Sequence, residues 1–220
     1  LQFKENIEGN VIDFSGKISE ISELPEHTPQ EVKAKGDKYK EFKKNAALWR
    51  LKVLADIQVA QFFLPKTNKR LFITDEKYFE YLNSGIMPQG EAVGAAMGSS
   101  AENNFFHWFL EFPEIFGKGG FDCILGNPPF LGGQAISGEF GLHYLSYLKK
   151  VFNTSGSCDL VTYFFINIYK LIKPERFMSL IATNTISQGV TRESGLDKIE
   201  AEKGSINFAI KSMKWPGQAA

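Results

Sequence analysis

The amino-acid sequence predicts an α/β protein with a mainly helical region ahead of its sheet. Three observations carry this expectation. The apolar runs at 121–125 and 177–183 are too short for helices and read as buried strands, and 206–211 reads as a third strand. Helical periodicities separate them, and strand–helix–strand–helix–strand order argues for a parallel sheet with crossover helices. Residues 31–83 carry helical spacing with start and stop signals. The expected division is therefore a mainly helical part at 1–104, ending in a flexible connection, and a sheet-bearing part at 105–220.

Residues 1–30, with Pro25 and Pro29 and little periodicity, read as an irregular leading segment with room for a short strand or helix. The lysine-rich stretch 31–45 could contact phosphates, but a solvated helix face is the commoner reason for such a pattern. Residues 46–64 place Trp49, Val53, Ile57, Ala60 and Leu64 on one helical face, and Pro65 stops the helix. Trp49 is read as core. Thr74 is an N-cap candidate for a helix over 75–83, which Gly85 closes. The Gly-, Ala- and Ser-rich stretch 84–104 reads as a flexible connection. Its glycines follow no strand and lack the spacing of a nucleotide-binding fingerprint.

The aromatic run 105–116 is expected to pack as a short helix or extended segment, with His107 a satisfied structural histidine. No carboxylate or cysteine is spaced to make it a triad member or metal ligand. Past the first strand, helical spacing covers 139–152. Ser157 is an N-cap candidate for a second helix over 159–172, ended by Pro174. A third helix is expected over 191–203, stopping at Gly204.

Composition bounds the function. The chain has 220 residues and 43% hydrophobic content, enough for one or two real cores. No run of 18 apolar residues is present, so no membrane span is expected, and the start has no signal-peptide pattern. Both ends read as cut, which suggests an internal piece of a longer protein. Cys123 and Cys158 form neither a metal spacing nor a disulfide framework, which fits a reducing cytoplasm. With 25 basic and 25 acidic residues the net charge is zero. A surface that grips many phosphates should be basic, so this chain is not expected to carry the main DNA-gripping surface.

The chemistry concentrates at Gly126-Asn127-Pro128-Pro129-Phe130. Gly126 lets the backbone turn as the first strand ends. The two prolines fix two φ angles and offer no N–H donors. What remains is a stiff loop with carbonyl oxygens, a side-chain amide and a ring. It can accept hydrogen bonds from an amine and cover a flat ring. An exocyclic amine on a nucleobase has that shape. In open α/β sheets ligands lie beyond the carboxyl ends of the strands. This loop and the exit loop 184–189 should face one crevice.

Asn-Pro-Pro-Phe directly after an apolar strand resembles the catalytic motif of DNA amino-methyltransferases, in the form typical of N6-adenine enzymes. The longer FDCILGNPPF resembles the large type II restriction-modification methylases, in which methylation and restriction often share one chain. DLVTYFFINIYKLIKPERFMSLIATNTI is similar to that family's next helix and strand, and KWPGQAA to the start of a later motif. The similarity covers about residues 105–220. Residues 31–83 resemble, more weakly, the helical insertion such methylases carry ahead of the motif.

The resemblance implies a partial Rossmann-like sheet, S-adenosylmethionine as methyl donor and double-stranded DNA as partner, with the target adenine flipped out of the duplex. It implies that Asn127 and Pro128 accept from the reacting amine, with Pro129 stiffening the loop and Phe130 stacking on the base. Asp159 and Phe164 would border the donor. Trp215 and Asn184 would lie on the base side. The sequence departs from the family at Pro174-Glu175-Arg176, where a Gly-Gly turn is usual. It also has no glycine-rich donor loop before residue 121 and no acidic residue matching the family's ribose-binding position. The chain is thus expected to hold the catalytic corner without the main donor loop or the target-recognition domain. A cytosine-N4 or other amino-methyltransferase, and a non-catalytic scaffold, stay open as alternatives.

Overall fold

The computed structural model describes residues 8–65 and 67–212. The chain divides into two compact units, Leu1–Gly120 and Phe121–Ala220. The aromatic run 105–116 therefore belongs with the helical unit.

In the first unit the described residues form α1 (Glu8–Ser22), α2 (Pro29–Lys43), α3 (Ala46–Ala60), α4 (Asp75–Ser84), α5 (Glu91–Glu102) and the short α6 (Trp108–Glu111) and α7 (Pro113–Gly117). α1 lies in the segment read as irregular with room for a short strand or helix, and at 15 residues it is longer than that reading. Phe14 and Ile18, one turn apart, are buried on it, and packing on so narrow a stripe supports the helix. α2 opens with a capping box: the Glu31 N–H donates to Thr28 Oγ1 at 3.2 Å, and the Thr28 N–H donates to the Glu31 carboxylate at 2.8 Å. Its lysines form a solvated face with ion pairs, Lys35 to Glu26 at 3.0 Å and Lys43 to Glu111 at 2.7 Å.

α3 is the centre of this unit. Asn45 Oδ1 caps it by accepting from the Ala47 and Leu48 N–H groups. Leu48, Leu51 and Leu54 pack with Phe14, Phe42 and Leu110 on one side. Val53, Ile57 and Ala60 pack with Ile73, Val93 and Ala96 on the other. A helix apolar around most of its girth is a buried helix, not one with a single core face. Trp49 is the exception to its expected place: it is exposed, with the Lys52 ammonium 5.8 Å from its ring centroid. α4 has the expected ends, with the Lys77 N–H donating to Thr74 Oγ1 and Gly85 in the left-handed conformation.

The expected flexible connection is corrected, because most of it is α5. Its alanines favour helix, and small side chains let it pack against α3. Gly94 and Gly98, which suggested a loop, face open space. His107 is structural, as expected. Its Nε2 lies 2.8 Å from Oδ1 of the buried Asp56, 51 residues away in sequence. Lys52 Nζ donates to Asp56 Oδ2 at 2.6 Å and reaches Ser100 Oγ at 3.4 Å. Burial pushes the Asp56 carboxyl up, but the hydrogen bonds from His107, Lys52 and Ser100 outweigh it and hold it below the usual carboxylate range.

The second unit contains β1 (Phe121–Gly126), α8 (Ile136–Phe152), α9 (Leu160–Leu171), β2 (Ile172–Leu180), a 3₁₀ turn at Asn184–Ser187, α10 (Gly189–Ser194) and α11 (Leu196–Ala201). β1 and β2 pair in parallel, with Cys123 opposite Phe177 and Gly126 opposite Leu180. α8 and α9 make the crossover. Pro174 does not end α9 from outside: it lies within β2, which follows α9 directly. The register slips between Phe121 and Cys123, leaving 173–176 as a bulge with Glu175 at φ 59°. That positive φ falls in Pro174-Glu175-Arg176, the segment where the resemblance implies a Gly-Gly turn. Lys173 Nζ and Arg176 Nε each reach the Asp122 carboxylate at 2.9 Å.

Four further expectations change. α8 starts earlier than its periodicity suggested and breaks at Gly141. Asp159, not Ser157, is the N-cap of α9. The helix expected over 191–203 is two helices meeting at Gly195, where a Cβ would come within 3.0 Å of Thr162 Cγ2 and 3.1 Å of the Thr191 carbonyl oxygen. Residues 206–211 have no regular structure, and their alternating Ile206, Phe208 and Ile210 are exposed. A strand pattern forms a strand only against a neighbouring edge that takes its hydrogen bonds. Among the described residues no helix is long and apolar enough to cross a membrane.

Candidate active site

The site is built where β1 and β2 end side by side. The Ile181 N–H donates to the Gly126 carbonyl at 3.0 Å, so the two exit loops start as neighbours. Residues 127–130 have no regular structure. Within them Pro128 is buried, while Asn127, Pro129 and Phe130 are exposed. Among the described residues no hydrogen-bond partner holds the Asn127 side chain. The loop thus has a proline anchored inside and an amide and a ring presented outside.

The loop is then tied down at its far end. The Leu160 N–H donates to the Leu131 carbonyl at 2.9 Å. The Gly133 N–H donates to Asp159 Oδ1 at 3.1 Å. A Cβ at Gly133 would collide with the Ser157 carbonyl and come within 2.6 Å of the Cys158 carbonyl oxygen, so only glycine allows this approach. From the other exit loop, Thr185 Oγ1 donates to Asp159 Oδ2 at 2.6 Å and lies 2.6 Å from Thr183 Oγ1.

Asn127, Pro128, Pro129 and Phe130 therefore share one loop with an ordered base. Asn184 begins the 3₁₀ turn of the neighbouring loop, with its side chain exposed and its carbonyl accepting from Ser187 Oγ at 2.8 Å. Phe164 follows on α9 with its ring partly exposed. Asp159 stands at the N-terminus of the same helix, but both its oxygens are engaged by the chain. Trp215 lies outside the described residues. Sequence reasoning missed Gly133, Thr183 and Thr185. Two threonines flanking Asn184 at a strand exit were the available signal.

The family model for the Eco57I restriction-modification methylase matches residues 57–211. The chain belongs to this family. The match runs from within α3, through the loop 127–130, to residue 211, so it takes in part of the helical unit together with the strands. No curated protein and no solved structure matches the chain significantly. Membership supports a restriction-modification methyltransferase role, and the methylase family implies catalysis that depends on S-adenosylmethionine.

Proposed function

We propose that the chain carries the catalytic corner of a site-specific DNA adenine-N6 methyltransferase. The supporting observation is the exposed Asn127 amide, without a hydrogen-bond partner among the described residues, in one loop with an exposed Phe130, at the carboxyl end of a parallel strand, in a chain of the methylase family. A scaffold that had lost its chemistry would have these groups filled or collapsed.

The target nitrogen is an aromatic amine whose lone pair is delocalised into the ring. Asn127 Oδ1 and the Pro128 carbonyl accept from its two hydrogens. Acceptors so placed favour a more tetrahedral nitrogen and stabilise the positive charge that develops there. No strong general base is needed before attack, because the proton leaves afterwards. Phe130 replaces the stacking that the base loses when it leaves the duplex, an interaction worth roughly 1–3 kcal/mol. Trp215 and Asn184 complete the base side.

S-adenosylmethionine, when bound, supplies a methyl group on a sulfonium. The residues present fit its adenosine end in part: the exposed Phe164 ring offers an apolar wall. The Asp159 carboxylate, engaged on both oxygens, fits a direct hold on the donor poorly. In this reading the strands belong to a larger Rossmann-like sheet. Support comes from the sheet face with Cys123, Leu125 and Phe177, which is exposed. The glycine-rich donor loop and the target-recognition domain then come from other parts of the enzyme.

Asn127→Ala in the full enzyme tests the reading. Methyl transfer should fall about 10²–10³-fold, the loss typical of removing one preorganised polar group. Donor affinity should stay near wild type by calorimetry. Wild-type turnover would sink the assignment. Mass spectrometry of the methylated nucleoside should give N6-methyladenine, whereas N4-methylcytosine would select the other amino-methyltransferase.

A further inference from the structure

We propose that Asp159 is a positioning residue, a latch that fixes the catalytic-motif loop to the exit loop of β2. This deepens the methyltransferase reading and rests on it. Asp159 holds the N-cap of α9, and Asp is a favoured cap because its side chain can accept from the helix's first free N–H groups. Here it makes no side-chain cap bond. Its carboxylate turns to the loops instead. Oδ1 accepts the Gly133 N–H at 3.1 Å, and Oδ2 accepts the Thr185 hydroxyl at 2.6 Å. An ionised acceptor makes both bonds stronger than their neutral counterparts, and the shorter has the length of a charge-assisted O–H bond.

The surroundings give the latch a fixed base. The Leu131 carbonyl is held by the Leu160 N–H at 2.9 Å, and the Asp159 N–H reaches Thr191 Oγ1 at 3.4 Å. Gly133 presses backbone to backbone on residues 157–158, so the segment leaving Phe130 has little freedom once Asp159 holds it. Both partners lie 26 residues from Asp159, one on each side in sequence. A single carboxylate therefore sets the relation between the loop bearing Asn127 and Phe130 and the loop bearing Asn184. Misplacing reacting groups by about 1 Å can slow the chemical step on the order of 10²-fold. The latch therefore acts on the chemical step.

The test uses the full enzyme with Asp159→Ala, Asp159→Asn and Thr185→Val. Asn keeps an oxygen for the Gly133 N–H and an amide that can donate to the Thr185 hydroxyl. Asp159→Ala should lower kcat about 10–100-fold, with KM for DNA and Kd for S-adenosylmethionine changed less than 2-fold. Asp159→Asn should recover most of kcat, and Thr185→Val should lower it by less than Ala. Combining Asp159→Ala with Thr185→Val should add little to the Ala loss. Hydrogen exchange gives a readout free of catalysis: Asp159→Ala should speed exchange at 131–135 and 183–187 while α3 stays protected. A donor Kd raised 10-fold or more, with no rescue by Asn, would make Asp159 a direct donor contact and overturn the latch. Unchanged exchange in both loops would overturn it as well. Failure of the methyltransferase reading shows separately, as wild-type turnover in Asn127→Ala.

Discussion

The two units close their apolar surface to different degrees. In the helical unit α3 is wrapped on both sides, and Leu54, Ile57 and Ala60 are fully buried. In the α/β unit one face of the strand pair is open: Leu125 is 74% exposed and Phe177 61%, while Ile124, Met178 and Leu180 opposite are partly covered. The carboxylates follow the same division. Asp56 is buried among three partners, whereas Asp122 meets Lys173 and Arg176 at the surface. The difference follows from backbone chemistry. A helix satisfies its own N–H and C=O groups and needs only a partner for each apolar stripe. A parallel strand needs neighbours at its edges and layers on both faces. Local sequence can complete the first kind of structure but not the second.

The largest effect should come from opening the closed unit. Leu54→Ala removes a fully buried side chain where α3 meets its neighbours, and such truncations cost about 2–5 kcal/mol. Chemical denaturation of the chain, with hydrogen exchange to locate the loss, should show weakened protection in α1, α3 and α6. A loss below about 1 kcal/mol would mean that the site collapses freely, and the contrast between the units would fail.

A smaller effect is expected at Asp56. Asp56→Asn keeps the shape but weakens the bonds from His107 and Lys52, and hydrogen bonds to charged groups contribute about 1.5–3 kcal/mol each. The folded carboxyl titrates below its unfolded value. Its contribution is therefore present above the unfolded pKa and is lost as pH falls through the lowered folded value. Wild type should lose stability in that acid window, and Asp56→Asn should lose less there. Parallel pH profiles for the two proteins would show that the Asp56 charge does not link stability to pH.

What was legible in the sequence divides along related lines. β1, the motif after it, and the Thr74 and Gly85 ends of α4 depend on a few adjacent residues, and their types and spacing disclose them. α5 was hidden because alanine, glycine and serine mark both loops and closely packed helices. Contact with α3 adds to the helix preference of its alanines and decides between the two. Pro174 reads as a helix stop, yet it sits in β2 because the bulge beside Asp122 absorbs it. The alternation at 206–211 is real, but strand formation depends on an edge that its own residues do not supply. At the candidate site, Asn127 and Phe130 could be named from the motif. The link from Asp159 to Gly133 and Thr185 could not, because the crossover alone brings those residues together.

The smallest effect, and the sharpest test of the open face, is Leu125→Ser. Leu125 lies on β1, where a folded neighbour would ordinarily bury it, yet it is 74% exposed. An exposed side chain outside any buried network changes stability by only about ±0.5 kcal/mol when replaced. The serine variant of the 220-residue chain should therefore unfold at nearly the wild-type denaturant concentration. It should also be more soluble, because an exposed apolar patch favours association. The same substitution in the full enzyme should be costlier if further elements cover the sheet, reaching the range of a buried leucine. Measuring both proteins separates an open sheet from a completed one. A large loss in the 220-residue chain itself would show that Leu125 is already covered in solution, and the contrast with Leu54 would disappear.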